Sequence, residues 1–177
     1  MKKITILLAM MLAFSVMATA CGNNSSASSS GSSSAGASST VSSSTAGTET
    51  LTESLPDIMK KVYDGVDMDI MLIEDEITEE DSDYHLRMTR DKYEEAYISQ
   101  AGMSAQAHSV VLVRTKPGTD MEAFCEELMK NGDLPQKWIC AEAENVQTAY
   151  VGDVAILIMT YNDYADKLME NFKALAK

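Results

Sequence analysis

The cysteines are the residues of this chain best placed to carry chemistry, and Cys21 stands in the most restricted position. Lys2 and Lys3 precede an apolar stretch that runs to about Ala20, and the small residues "MATA" lead directly into Cys21. This order is typical of a secretory signal peptide. A cysteine placed just after the cleaved bond can take a diacylglycerol through its thiol. The pattern therefore predicts a lipobox, although Ala18 stands where leucine is usual, with an ordinary secretory signal and a chance cysteine as the alternative.

Lipidation at Cys21 has a direct physical consequence. Each buried methylene contributes about 0.8 kcal/mol, and a single acyl chain holds a protein only marginally at a membrane. Because the lipobox implies two or three acyl chains, we expect stable attachment of the domain to the cell membrane, on its extracytoplasmic face.

Cys125 and Cys140 form an even pair outside the signal peptide. In an oxidising compartment such a pair can form a disulfide, and closing a loop of this size is worth about 3 kcal/mol. In the alternative, Cys125 lies on the apolar face of a predicted helix and acts as a small buried hydrophobic residue. The sequence alone does not decide between a disulfide and a free, buried Cys125.

Carboxylates are the other abundant chemical group. Seven of the ten residues from 74 to 83 are acidic, but their spacing is not that of a calcium-binding loop. Thr78 followed by acidic residues is typical of a helix N-terminus. His85 and His108 lie in different predicted elements without ligand-like spacing. The sequence therefore predicts no metal site, no cofactor and no catalytic residue, and we expect a protein that is not an enzyme.

The composition divides the chain into three parts. Residues 1–20 are the predicted lipoprotein signal peptide, residues 21–50 a lipidated cysteine and a disordered serine-rich tether, and residues 51–177 a single domain. The chain has 27 acidic and 14 basic residues, for a net charge of −13. Such a charge disfavours nucleic acid and anionic membrane surfaces as partners. It would attract cations and basic protein patches, with plain solubility as the alternative role of the charge.

The order of strand and helix patterns predicts an α+β fold for the domain. Its second part has the order strand–strand–helix twice, and this order predicts an antiparallel sheet of about four strands with both helices on one face. An N-terminal helix over 55–64 begins at the capping residue Ser54. The predicted strands are 93–100, 108–116, 145–151 and 154–161, a short extended run covers 68–73, and the later helices are 121–130 and 163–176.

Two of these strands are apolar at every position, over 110–113 and 154–159. A half-buried strand alternates apolar and polar residues, so both faces of the sheet must be covered. We expect the helix at 55–64, together with the segment at 78–88, to cover the second face. A binding partner is the alternative cover.

The chain resembles the uncharacterised bacterial lipoproteins grouped as domain of unknown function 4358. The resemblance covers roughly 55 to 176 and lies in the lipobox, the tether, "YISQAGMSAQAHSVVLVRTKPG" and "YVGDVAILIMTYNDYADKLMENFKAL". The chain departs from the family pattern after the helix at 121–130, where the connection around Trp138 is short. The resemblance implies a membrane-anchored, outward-facing protein of a Gram-positive bacterium, and it brings no assigned activity.

These observations favour a non-catalytic binding module for a protein or cell-envelope partner. Two alternatives remain at this level. One is an enzyme that acts on the cell wall with a pair of carboxylates. The other is a small-solute receptor, although a single domain of this length lacks the two lobes that such receptors close around a ligand.

Overall fold

A computed structural model of the chain describes residues 38–41, 50–132 and 137–176. The predicted signal peptide and Cys21 lie outside this part of the chain. The strands are β1 (Ser38–Val41), β2 (Leu72–Glu76), β3 (Tyr93–Ala101), β4 (Ser109–Thr115), β5 (Asn145–Val151) and β6 (Val154–Thr160). The helices are α1 (Leu55–Val62), α2 (Glu79–Leu86), α3 (Met121–Gly132) and α4 (Asn162–Lys173).

The strands form one sheet in the order β1-β5-β6-β4-β3-β2. All neighbours from β5 to β2 pair antiparallel, which confirms the predicted α+β class with an antiparallel sheet. β2, at one edge, adds a fifth antiparallel strand to the four predicted. The β5–β6 hairpin closes through Gly152 and Asp153, as expected, and the positive φ of Gly152 (59°) suits this tight turn.

The two N-terminal helices begin at the capping residues that the sequence indicated. The Ser54 side chain accepts a hydrogen bond from the Asp57 N–H and caps α1. The Thr78 side chain accepts from the Asp81 N–H and caps α2, which confirms the helix start predicted inside the acidic segment. α2 ends at Leu86 and is capped by Arg87, whose φ of 51° lies in the left-handed region.

Both faces of the sheet are buried, as the apolar strands required. One face packs against α2 and α3, through a cluster that includes Val111, Leu157 and Leu128. The other packs against α1 and α4, and its cluster includes Ile156 and Phe172. The first helix therefore covers the face of the sheet on which α4 lies. The expectation that α1 and the segment at 78–88 cover the same face is wrong, because α2 packs with α3 on the opposite face.

The expectation that both C-terminal helices share a face is wrong, because α3 and α4 lie on opposite sides of the sheet. The physical reason lies in the same doubly apolar strands, β4 and β6. Their two rows of buried side chains need an apolar helix on each side, and α3 and α4 each supply one. α2 and α1 complete the two layers.

The N-terminal edge of the sheet differs from the predicted tether. Ser38–Val41 pair in parallel with Asn145–Thr148 of β5, so this part of the 21–50 segment is a strand. A serine- and threonine-containing segment has few apolar side chains to bury, but its backbone can satisfy the open edge of β5. The residue types of Ser38–Val41 do not predict that this segment pairs with β5.

Candidate binding surface

The structure separates the two cysteines of the domain. Cys125 is buried on α3, with its Sγ 3.6 Å from the carbonyl oxygen of Ala149, whereas Cys140 is exposed. Both are free, so the disulfide considered from the sequence is absent and the buried, hydrophobic role of Cys125 is the one that the fold uses. Burial raises the pKa of the Cys125 thiol to about 12, which makes it a poor nucleophile.

The acidic segment is divided between two elements. Glu74, Asp75 and Glu76 belong to β2, and the carboxylates that follow Thr78 lie in the first turn of α2. Within residues 50–132 and 137–176, no group of three or more histidine, cysteine, aspartate or glutamate side chains is arranged to hold a metal ion. These carboxylates therefore form a charged surface.

His108 links α1 to the sheet. Its ring is fully buried, Nε2 lies 2.6 Å from the hydroxyl of Tyr63, and Nδ1 lies 2.7 Å from the hydroxyl of Thr160. Burial lowers the pKa of His108 to about 4, so the ring is neutral at physiological pH. Since hydroxyl groups occupy both nitrogens, this histidine is a structural link.

Lys137 and Ser109 form the arrangement that comes nearest to catalytic chemistry. The Nζ of Lys137 donates to the Ser109 hydroxyl at 3.0 Å, and burial lowers the pKa of this lysine to about 8. Serine–lysine hydrolases activate a nucleophile with such a pair. The Ser109 side chain has no exposed surface, however, so a substrate cannot reach its oxygen in this structure.

Exposed apolar side chains gather at the end of the sheet where β4 begins. We call Met71, Ile73, Met103 and Ile139 the apolar tip; each is at least half exposed. Two backbone hydrogen bonds hold the segments together: Gly102 N–H donates to the Met71 carbonyl and Ile139 N–H to the Ser104 carbonyl, both at 2.8 Å.

Gly102 makes room for this surface. A Cβ atom at this position would lie 2.7 Å from the Met71 methyl carbon and 3.3 Å from Cδ1 of Ile73. The two apolar side chains therefore lie over the glycine. The result is an exposed apolar surface beside the outer edge of the sheet.

β2 presents part of its backbone to the open edge of the sheet. Met71 and Ile77 exchange hydrogen bonds with the β3 side, since the Met71 carbonyl accepts from Gly102 and the Ile77 N–H donates to Ala96. Residues alternate in an antiparallel ladder. The N–H and C=O groups of the intervening residues, Leu72, Glu74 and Glu76, therefore point away from β3.

Two side-chain contacts shape this edge. The carboxylate of Asp75 accepts from the Glu76 N–H at 2.8 Å and so occupies one outward donor. The hydroxyl of Tyr97 donates to Glu74 at 3.4 Å, which places Glu74 on the α1 side of the sheet. Among the residues that the structure describes, no strand pairs with the outward groups of Leu72 and Glu74. These groups are flanked by apolar residues at one end of β2 and by carboxylates at the other.

The residue types alone do not predict the apolar tip. Met71 and Ile73 belong to a predicted extended run, and Met103 and Ile139 lie in separate predicted loops. One local signal was present, because two apolar residues two positions apart precede three consecutive acidic residues. The backbone contacts that bring Met103 and Ile139 beside them are long-range and have no local signature.

Comparison with protein-family models, curated proteins and solved structures finds no match to the chain. In the described ranges, each helix is too short or too polar to cross a membrane. Any function of this chain must therefore be inferred from its own surface residues.

Proposed function

We propose that the protein is a lipoprotein anchored through Cys21 to the outer face of the cell membrane, whose folded domain is a non-catalytic binding module. Its partner is a protein or another component of the cell envelope. The resemblance to the domain of unknown function 4358 lipoproteins agrees with this location and forms part of the proposal. The observation that carries the binding role is the apolar tip.

The apolar tip supports a binding role because its exposure has an energetic cost. Each fully buried aliphatic side chain contributes about 1.5–3 kcal/mol relative to exposure, and Met71 and Ile139 remain more than 60% exposed. Most other large apolar residues of the domain are buried on the two faces of the sheet, and Tyr84 on α2 is a separate exposed one. Four exposed apolar residues on neighbouring segments are typical of an interaction surface.

Anchoring is tested by the substitution Cys21→Ser. We expect the variant to leave the membrane fraction, or to keep its signal peptide, because no thiol is available for lipidation. Cell fractionation and electrophoretic mobility measure both outcomes. A variant that fractionates and migrates like the parent chain would contradict the anchor.

The binding role is tested by photo-crosslinking on intact cells. A photoreactive amino acid at Met103 samples the apolar tip, and the same amino acid at Lys167, an exposed position on α4, is the matched control. We expect a discrete crosslinked product from position 103 alone. Equal products from both positions, or none from either, would count against a specific surface.

A further inference from the structure

We propose that β2 binds an extended, basic segment of a partner protein, which adds a strand to the open edge of the sheet. The inference rests on the proposed function and names the binding mode and the chemistry of the partner. It has three supports: the outward backbone groups of β2, the apolar side chains beside them, and the charge of the strand.

The backbone supplies the first support. Leu72 and Glu74 each direct an N–H and a C=O away from β3, and Glu76 adds a carbonyl. These residues are two apart, which is the repeat at which an extended partner presents its own N–H and C=O groups. Main-chain hydrogen bonds of this kind give affinity in strand addition without requiring one particular partner sequence.

The side chains supply the second support. Met71 and Ile73 lie over Gly102 at the start of β2, and both remain at least half exposed. An added strand would pack apolar side chains against them. In strand addition the alternate side chains of the partner provide selectivity. We therefore expect aliphatic residues in the part of the partner that lies beside the apolar tip.

The charge supplies the third support and selects a basic partner. Glu74, Asp75 and Glu76 are consecutive and exposed, so carboxylates project on both faces of the strand. The whole chain carries a net charge of −13. Lysine or arginine on either face of an added strand therefore meets an opposite charge, and this complementarity favours association with basic segments.

The same charges disfavour other occupants. A second copy that paired β2 with β2 would place carboxylates opposite carboxylates, which destabilises cross-strand pairs. An anionic membrane surface is repelled for the same reason. Charged residues do protect sheet edges from aggregation, but protection alone does not account for exposed Met71 and Ile73 on the same strand.

The test uses the full-length chain in detergent micelles and a synthetic peptide of about ten residues that alternates lysine with valine. We expect the peptide to slow hydrogen exchange at the Leu72 and Glu74 amides by about tenfold or more at saturation. The amides of Ile73 and Asp75 already face β3, so their exchange should change little. This alternation is the signature of an added strand.

Two variants of Glu74 separate backbone pairing from charge. Glu74→Pro removes an outward N–H without removing a bond to β3, and proline is tolerated on an edge strand. We expect it to weaken peptide binding by about tenfold or more, with the unfolding midpoint unchanged. The matched variant Glu74→Gln keeps the N–H and loses one charge, so it should weaken binding by only about threefold.

Other outcomes overturn the proposal. Equal affinity for a peptide that is N-methylated at alternate residues would show attraction by charge alone. Slow exchange at Leu72 and Glu74 in a dimer without peptide would identify a second copy as the occupant. Binding of neutral phosphatidylcholine vesicles that competes with the peptide would identify a lipid surface. If the peptide does not bind but crosslinking at Met103 succeeds, strand addition fails and the binding module stands.

Discussion

Acid should destabilise this fold through one buried histidine. His108 has no exposed surface, and its two ring nitrogens lie within hydrogen-bonding distance of Tyr63 and Thr160. Burial lowers the pKa of the ring to about 4, against about 6.5 for an exposed histidine. The folded state therefore resists protonation over a pH range in which the unfolded chain is already protonated.

The pKa difference sets the sign and the size of the effect. Above about pH 6.5 the ring is neutral in both states, so the stability is fully present. As the pH falls, the unfolded state binds the proton first and the free energy of unfolding decreases. The loss attributable to His108 reaches about 2 kcal/mol near pH 5 and about 3 kcal/mol below about pH 4, where both states are protonated.

Urea unfolding followed by the fluorescence of Trp138 measures this loss at about pH 7.5 and about pH 5. The matched variant is His108→Gln, which keeps a polar side chain of similar reach but does not titrate. Carboxylates titrate in both chains, so the informative quantity is the difference in unfolding free energy between them. If that difference changes by less than about 0.5 kcal/mol between the two pH values, the reasoning is refuted.

Three further predictions concern the sheet and its edges. Leu157→Ala and Ile158→Ala, whose side chains are buried on opposite faces, should each lower the free energy of unfolding by about 2–5 kcal/mol in urea titrations. A neutral result at either residue would show that its face is not well packed. Arg114→Met should cost about 3 kcal/mol, because this guanidinium holds two carboxylates and two backbone carbonyls, and a loss below about 1 kcal/mol would contradict that role. Deletion of residues 22–37 should leave the unfolding midpoint unchanged, whereas deletion of 22–41 also removes β1 and should lower it; equal midpoints would mean that β1 adds no stability.

The elements with strong local signals could be predicted from the sequence. Ser54 and Thr78 identify the starts of α1 and α2, and Gly152-Asp153 identifies a hairpin. The apolar runs in β4 and β6 indicated that both faces are covered. Each of these inferences depends on residues close together in the chain, where capping, turn geometry and side-chain period act directly.

The remaining features depend on residues that are distant in sequence. The placement of α3 and α4 on opposite faces depends on how both doubly apolar strands are covered at once. The pairing of β1 with β5 is made by backbone groups, which every sequence carries. The link between Tyr63 and His108 joins residues 45 positions apart. None of these contacts leaves a local pattern in the residue types.

The covered faces bear directly on where a partner can bind. A partner that approached the second face would have to displace α1, whose four buried apolar residues each contribute about 1.5–3 kcal/mol. That cost is comparable with the whole stability of a typical domain, about 5–15 kcal/mol. At the β2 edge, by contrast, the outward groups of Leu72 and Glu74 only exchange water for a partner backbone, and Met71 and Ile73 gain burial. Recognition at this edge therefore needs no rearrangement of the packed layers, which is why the edge is the more favourable site.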